Sequence, residues 1–297
     1  MSVAEEIRIP IADGFLAAKT WGDRSARPLL AVHGWLDNAG SFDPLAPLLA
    51  ADRHVVAIDL RGHGRSTHLP PGGWSYYVDY FDDLHAVFDH FGWQRADLIG
   101  HSLGGTLASL FAAIYPERVD DLVLIEALGP LAAAADNALA QLRRALDQRR
   151  AFAGRKPLRI FSALDDAIAA RMTANGLSAA AARTLVERGV VKVDGGFTWA
   201  SDPRLTLASP QRFTEAQVLA MLQGIAARTL LMLAQPATSY LGSAMMDARA
   251  AQVAQIRVVH LPGNHHLHLE QADAVAAVVL EFLGERAAAD ASVKTSL

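Results

Sequence analysis

The feature that most constrains this chain is a series of short apolar runs separated by helix-like segments. Residues 28–33 (PLLAVH), 54–60 (HVVAIDL), 96–101 (ADLIGH) and 119–126 (VDDLVLIE) are dense in Val, Leu, Ile and Ala. Strands buried on both faces read as such runs, whereas strands with one wet face alternate apolar and polar residues. Between them, 76–91 carries apolar and aromatic residues at helical spacing, and 103–115 (LGGTLASLFAAIY) reads as a helix that Pro116 ends. A short helix is expected over Ser41–Ala50. Two further segments, 7–11 and 14–21, flank Asp13-Gly14 and read as a hairpin. Alternation of this kind predicts an α/β fold with a mostly parallel sheet flanked by helices.

The pattern stops near Leu128. From there to Ile225, Ala, Arg and Leu dominate, which predicts several helices and a short hairpin around Asp194-Gly195-Gly196. It resumes with a strand at 228–234, a helix around 243–255, a strand at 256–261 and a helix at 269–284. The last dozen residues read as a frayed end. The expected organisation is a core of residues 1–127 and 226–297, with 128–225 inserted as a helical cap. That cap would lie over the C-terminal edge of the sheet, where open α/β sheets bind ligands.

Composition narrows the function. Lys and Arg total 27 against 31 Asp and Glu, a formal charge of −4, which lacks the basic excess of a nucleic-acid binder. No run reaches the 18 or more apolar residues of a membrane span. The start, MSVAEEIRIP, lacks the basic and apolar blocks of a secretory signal, so a cytoplasmic location is expected. With no cysteine, thiol catalysis and thiolate metal sites are excluded. A monomer or homodimer is expected.

The strongest chemical signal is Gly100-His101-Ser102-Leu103-Gly104, followed by Gly105. A bare G-x-S-x-G is weak. Between a strand and a helix it is what a nucleophile elbow requires: a serine on a sharp turn with neighbours small enough for strand and helix to approach. His33-Gly34-Trp35 follows the first buried strand, where the turn can lend a backbone N–H to an oxyanion hole. Trp35 is assigned that donor and Leu103 the second. Asp59-Leu60-Arg61-Gly62-His63-Gly64 matches neither the dinucleotide nor the Walker pattern and reads as a structural loop. A serine nucleophile needs a base, and the base needs a carboxylate. Gly263-Asn264-His265-His266-Leu267-His268-Leu269-Glu270 offers three histidines on a loop after the last strand. No helical H-E-x-x-H pair accompanies them, so no metal or other cofactor is expected.

Together the stretches at 33–35, 59–66, 100–105 and 263–270, in that order, resemble the α/β-hydrolase superfamily. Within it, HGWLDNAGSF (33–42), GHSLGG and ERGVVKVDGGFTWASDPRL (187–205) are similar to the serine hydrolase-like proteins. The resemblance implies Ser102 as nucleophile. It implies His265 as base, five residues before Glu270, with His268 behind it as a structural or pocket residue. Most members carry an Asp after the next-to-last strand, and here that turn, 234–240, has no carboxylate. Glu126, at the end of the strand after the elbow helix, is the expected acid, with Asp247 as the alternative. A carboxylate closing an apolar strand is costly to bury unpaired.

These readings predict a serine hydrolase that cleaves a small-molecule carboxylic ester through an acyl-enzyme. Thioesters, lactones and carbon–carbon bonds are alternatives on the same fold, as is a non-catalytic small-ligand-binding protein. Trp35, His101, Phe161 and Trp199 are the expected pocket residues, with Phe152, Met172 and Phe197 as further candidates. Asp202 and Arg204 read as an ion pair anchoring the cap.

Overall fold

The computed structural model describes residues 3–74, 76–152 and 158–294, with side chains to Arg286. In chain order come β1 (Glu5–Ile11), β2 (Gly14–Trp21), β3 (Arg27–Val32), α1 (Ala46–Leu49), β4 (Arg53–Ile58), α2 (Tyr77–Phe91), β5 (Ala96–His101), α3 (Leu103–Ile114) and β6 (Val119–Ile125). Next are α4 (Ala138–Phe152), α5 (Leu164–Asn175), α6 (Ala179–Gly189), β7 (Val190–Val193), β8 (Gly196–Trp199) and α7 (Glu215–Leu222). Last are β9 (Arg228–Gln235), α8 (Ser243–Ala250), β10 (Ile256–Pro262), α9 (Leu267–Glu270) and α10 (Ala272–Lys294).

Eight strands form one sheet in the order β1-β2-β4-β3-β5-β6-β9-β10. β1 and β2 pair antiparallel and β2 meets β4 antiparallel, while β4 through β10 run parallel. The apolar runs are the central strands because both faces are covered. Leu30, Val32, Val56 and Ile58 face one cluster, with Phe88 of α2 and Phe111 of α3. Leu29, Ala31, Val55 and Ala57 face the other, with Leu49 of α1 and Val279 of α10. At about 25 cal/mol per Å2 of apolar surface removed from water, this two-sided burial is the main favourable term for the sheet.

The helix expected over 41–50 is two short turns instead, a 3-10 turn at Ala39–Phe42 and the single turn of α1. Pro44 and Pro47 remove two backbone donors within this stretch. β10 is an edge strand with mostly exposed or half-buried side chains, so its apolar sequence did not signal full burial. The end expected to fray is helical as far as Lys294; residues 295–297 lie outside the described residues.

The described residues between β6 and β9 add no strand to the large sheet. They form helices α4 to α7 and the β7–β8 hairpin, with a separate apolar cluster that includes Phe161, Ile168, Leu185 and Val186. Several polar ties hold this segment to the rest. Arg188 reaches Asp59 (2.9 Å) and Glu6 (2.6 Å), and Trp35 Nε1 donates to the Leu205 carbonyl (3.1 Å). Asp202 binds Arg204 (2.6 Å) and accepts from the Leu69 N–H (3.1 Å), while Arg204 donates to the Pro70 carbonyl (2.6 Å). No helix among the described residues is long and apolar enough to cross a membrane.

Candidate active site

The turns at the C-terminal ends of β3, β5 and β6 converge on one cavity of about 1460 Å3. Ser102, His265, Glu126, Trp35, Leu103 and His101 all line it. Three non-glycine residues among those described have positive φ: Leu36 (60°), Ser102 (52°) and Glu126 (55°). One stands in each of these turns. Such backbone costs on the order of 1–3 kcal/mol per residue and persists only where the surroundings impose it.

The elbow shows how it is imposed. Ser102 sits between β5 and α3 with φ 52° and ψ −112°. Its N–H donates to the Ile125 carbonyl (3.0 Å), which ties the turn to β6. A Cβ on Gly104 would lie 1.9 Å from the Val32 carbonyl oxygen, and one on Gly100 would lie 2.4 Å from the Gly104 oxygen. Only glycine lets helix and strand approach this closely, so the motif's spacing is a packing requirement. The Ser102 hydroxyl is thereby held at the cavity wall.

Glu126 is 2% exposed yet fully engaged. The Ala234 N–H donates to its Oε1 (2.5 Å), the Thr238 hydroxyl donates to Oε2, and His265 Nδ1 lies 3.1 Å from Oε2. Burial works to raise its pKa, but these three hydrogen bonds and the imidazole outweigh it and hold the carboxyl below its ordinary value. The end of β9 and the turn after it, which lacks a carboxylate, each supply one of those donors. His265 Nε2 has no protein partner among the described residues. Burial lowers the His265 pKa below 6.5, and the Glu126 carboxylate only partly offsets this. Asp247 is exposed on α8 and lines no part of the cavity.

Trp35 and Leu103 present backbone N–H groups with no protein acceptor among the described residues. The turn at Trp35 is set by His33, which is buried. Its Nδ1 donates to the Gly34 carbonyl (2.7 Å) and its Nε2 accepts from the Leu60 N–H (3.0 Å).

A second carboxylate, missed in the sequence, lies beside this group. Asp37 is 3% exposed, with its Oδ2 3.5 Å from His101 Nδ1 and 3.4 Å from His266 Nε2; Arg171 of α5 binds its other oxygen. Burial would raise its pKa, but the two imidazoles and the guanidinium hold it well below the carboxylate range. His101 Nε2 donates to the His265 carbonyl (2.8 Å). One donor atom each from Asp37, His101 and His266 lies within 4.8 Å of the others, a set that could hold a metal ion. Arg171 already neutralises the carboxylate, so we read a buried ion-pair knot. His268 is fully buried among Phe42 and His101 and is held neutral by burial; it does not line the cavity.

Two expected pocket residues are corrected. Phe161 and Trp199 do not line the cavity, and neither do Phe152, Met172 or Phe197. Phe161 and Trp199 pack edge to face at 5.2 Å, and Phe161 bridges Phe197. Phe161 and Trp199 belong to the segment's own apolar cluster. The cavity wall on that side comes instead from 131–144 and 204–213.

A family model described as the alpha/beta hydrolase fold matches residues 27–167. A serine hydrolase-like protein of Danio rerio is 32% identical over 289 residues, 94% of this chain and 88% of that protein. The chain belongs to the α/β-hydrolase family. Among solved members of this fold, a hypothetical protein from Pseudomonas aeruginosa PAO1 is 39% identical, with a TM-score of 0.89 over 94% of this chain and 99% of that one. A thioesterase domain from the curacin biosynthetic pathway is 28% identical, with a TM-score of 0.81 and the same coverage. This α/β-hydrolase is thus similar both to serine hydrolase-like proteins and to a thioesterase.

Proposed function

We propose that this protein is a serine hydrolase that cleaves carboxylic esters through an acyl-enzyme. The observation that carries the reading is the Glu126–His265 contact beside the strained Ser102 turn, all three facing one cavity. Ser102 Oγ attacks the ester carbonyl carbon while His265 Nε2 takes its proton. The oxyanion of the tetrahedral intermediate sits against the Trp35 and Leu103 N–H groups, a term worth several kcal/mol in such sites. The intermediate collapses, and His265 passes the proton to the departing alcohol. Water, deprotonated by His265, then releases the acid and restores Ser102. Glu126 keeps Nδ1 protonated and offsets the imidazolium charge. The segment between β6 and β9 acts as a cap, since it supplies one wall of the cavity.

The similarity to a thioesterase domain favours a thioester as second substrate class, served by the same nucleophile. The three held side chains argue against a binding-only role. Labelling with a fluorophosphonate tests the proposal: wild type is expected to be modified at Ser102 and to turn over p-nitrophenyl esters. Ser102→Ala is expected to lose both, with a fall in kcat of about 10^6-fold. Absence of labelling in folded wild type, or a normal acyl burst in Ser102→Ala, overturns it.

A further inference from the structure

We infer that the cavity binds a substrate carrying an anionic group away from the scissile bond, held by Arg144 and Arg212. The inference deepens the ester-hydrolase reading and rests on it.

The chain as a whole carries −4. The cavity departs from that average. Among the described residues its only acidic lining residues are Asp37 and Glu126, and both are buried and engaged. Among its basic residues, Arg204 is neutralised by Asp202. Arg144 and Arg212 also line the cavity, where both are exposed, and neither has an ion pair or hydrogen bond among the described residues. The pair therefore leaves two uncompensated positive charges on a mainly apolar wall.

Position supports the same reading. Arg144 follows Gln141 by three residues on α4, so the two share a helix face. The Gln141 amide donates to the Ser209 carbonyl (3.0 Å), three residues before Arg212. The Phe213 carbonyl accepts from the Ala133 N–H (2.9 Å). These bonds join the two arginine-bearing segments into one wall of the cavity. A guanidinium beside apolar surface, with no carboxylate to bind, is suited to a carboxylate, sulfate or phosphate. The anion could sit on the acyl half or on the leaving half of the ester, and the test separates these.

Three esters of equal acyl length distinguish the outcomes: p-nitrophenyl hexanoate, mono-p-nitrophenyl adipate, and the hexanoate of a carboxylated nitrophenol. Wild type is expected to prefer one charged ester over the neutral one, and the preference should shrink as salt is raised. In Arg144→Gln/Arg212→Gln the ratio of kcat/KM, charged to neutral, should fall about tenfold. Which charged ester responds identifies the half that carries the anion. Equal preference among the esters in wild type, or a ratio the double variant leaves in place, overturns the inference. If folded wild type turns over none of them, the hydrolase reading has failed and the subsite is read separately. Monomethyl adipate is then titrated against Ser102→Ala with and without the arginine changes. Binding lost with the arginines supports the subsite, and binding absent or unaltered overturns it.

Discussion

Glu126 and Asp37 are buried carboxylates at the same edge of the sheet, each facing imidazoles, yet their surroundings assign them different work. Glu126 holds one ring, His265, through Nδ1 and leaves Nε2 without a protein partner among the described residues, beside Ser102's cavity. Asp37 is enclosed by His101, His266 and the Arg171 guanidinium, and His101 spends its Nε2 on the His265 carbonyl. The first arrangement keeps a basic nitrogen available. The second spends His101 Nε2 on the loop that carries His265 and ties α5 to the carboxylate through Arg171. A carboxylate–imidazole contact therefore marks a proton-relay only when the far nitrogen faces open space.

The sharpest way to break this comparison is to neutralise each acid without changing its shape. Glu126→Gln is expected to lower kcat by about 10^4-fold, because the imidazole loses the partner that fixes its tautomer and supports its cation. Folding should be nearly intact by circular dichroism. Asp247→Asn, on an exposed helix, should leave kcat within about twofold. The assignment of the acid fails if the two variants exchange these outcomes.

Asp37→Asn should act mainly on stability. Removing the charge strands Arg171 and leaves two imidazoles facing an uncharged amide, and breaking one partner of a buried ion pair costs about 3–5 kcal/mol. Urea denaturation reads this directly. A loss below about 1 kcal/mol, together with a catalytic defect matching that of Glu126→Gln, would make Asp37 a second proton-relay carboxylate and erase the distinction.

The two carboxylates also differ in how far they could be read from sequence. Glu126 was legible because an acid closing an apolar strand needs a reason, and family resemblance supplied one. Asp37 lies in the quoted HGWLDNAGSF stretch, but its partners come from 101, 171 and 266, and nothing local announces that meeting. The sheet was legible because its strands are apolar at every position. The segment between β6 and β9 was legible as helices and a hairpin, but its inner packing was not. Phe161 and Trp199 carry the same side chains whether they face a ligand or each other, and only the fold decides. Arg144 is one charge among several on α4, and only its place in the cavity lining sets it apart.

The smallest expected effect is also the one that probes the Glu126 side of the comparison most finely. Burial lowers the His265 pKa and the Glu126 charge raises it, with burial prevailing. The base works unprotonated, so kcat/KM should fall as pH drops through a midpoint below 6.5, the ordinary imidazole value. The enclosed ring moves the midpoint to the acid side of that value. In Glu126→Gln the raising charge is gone while burial remains, so the residual activity should titrate at a still lower pH. Because Asp37 keeps its charge in that variant, a midpoint that stays in place would mean that the Asp37 knot, not Glu126, sets the potential at the His265 ring.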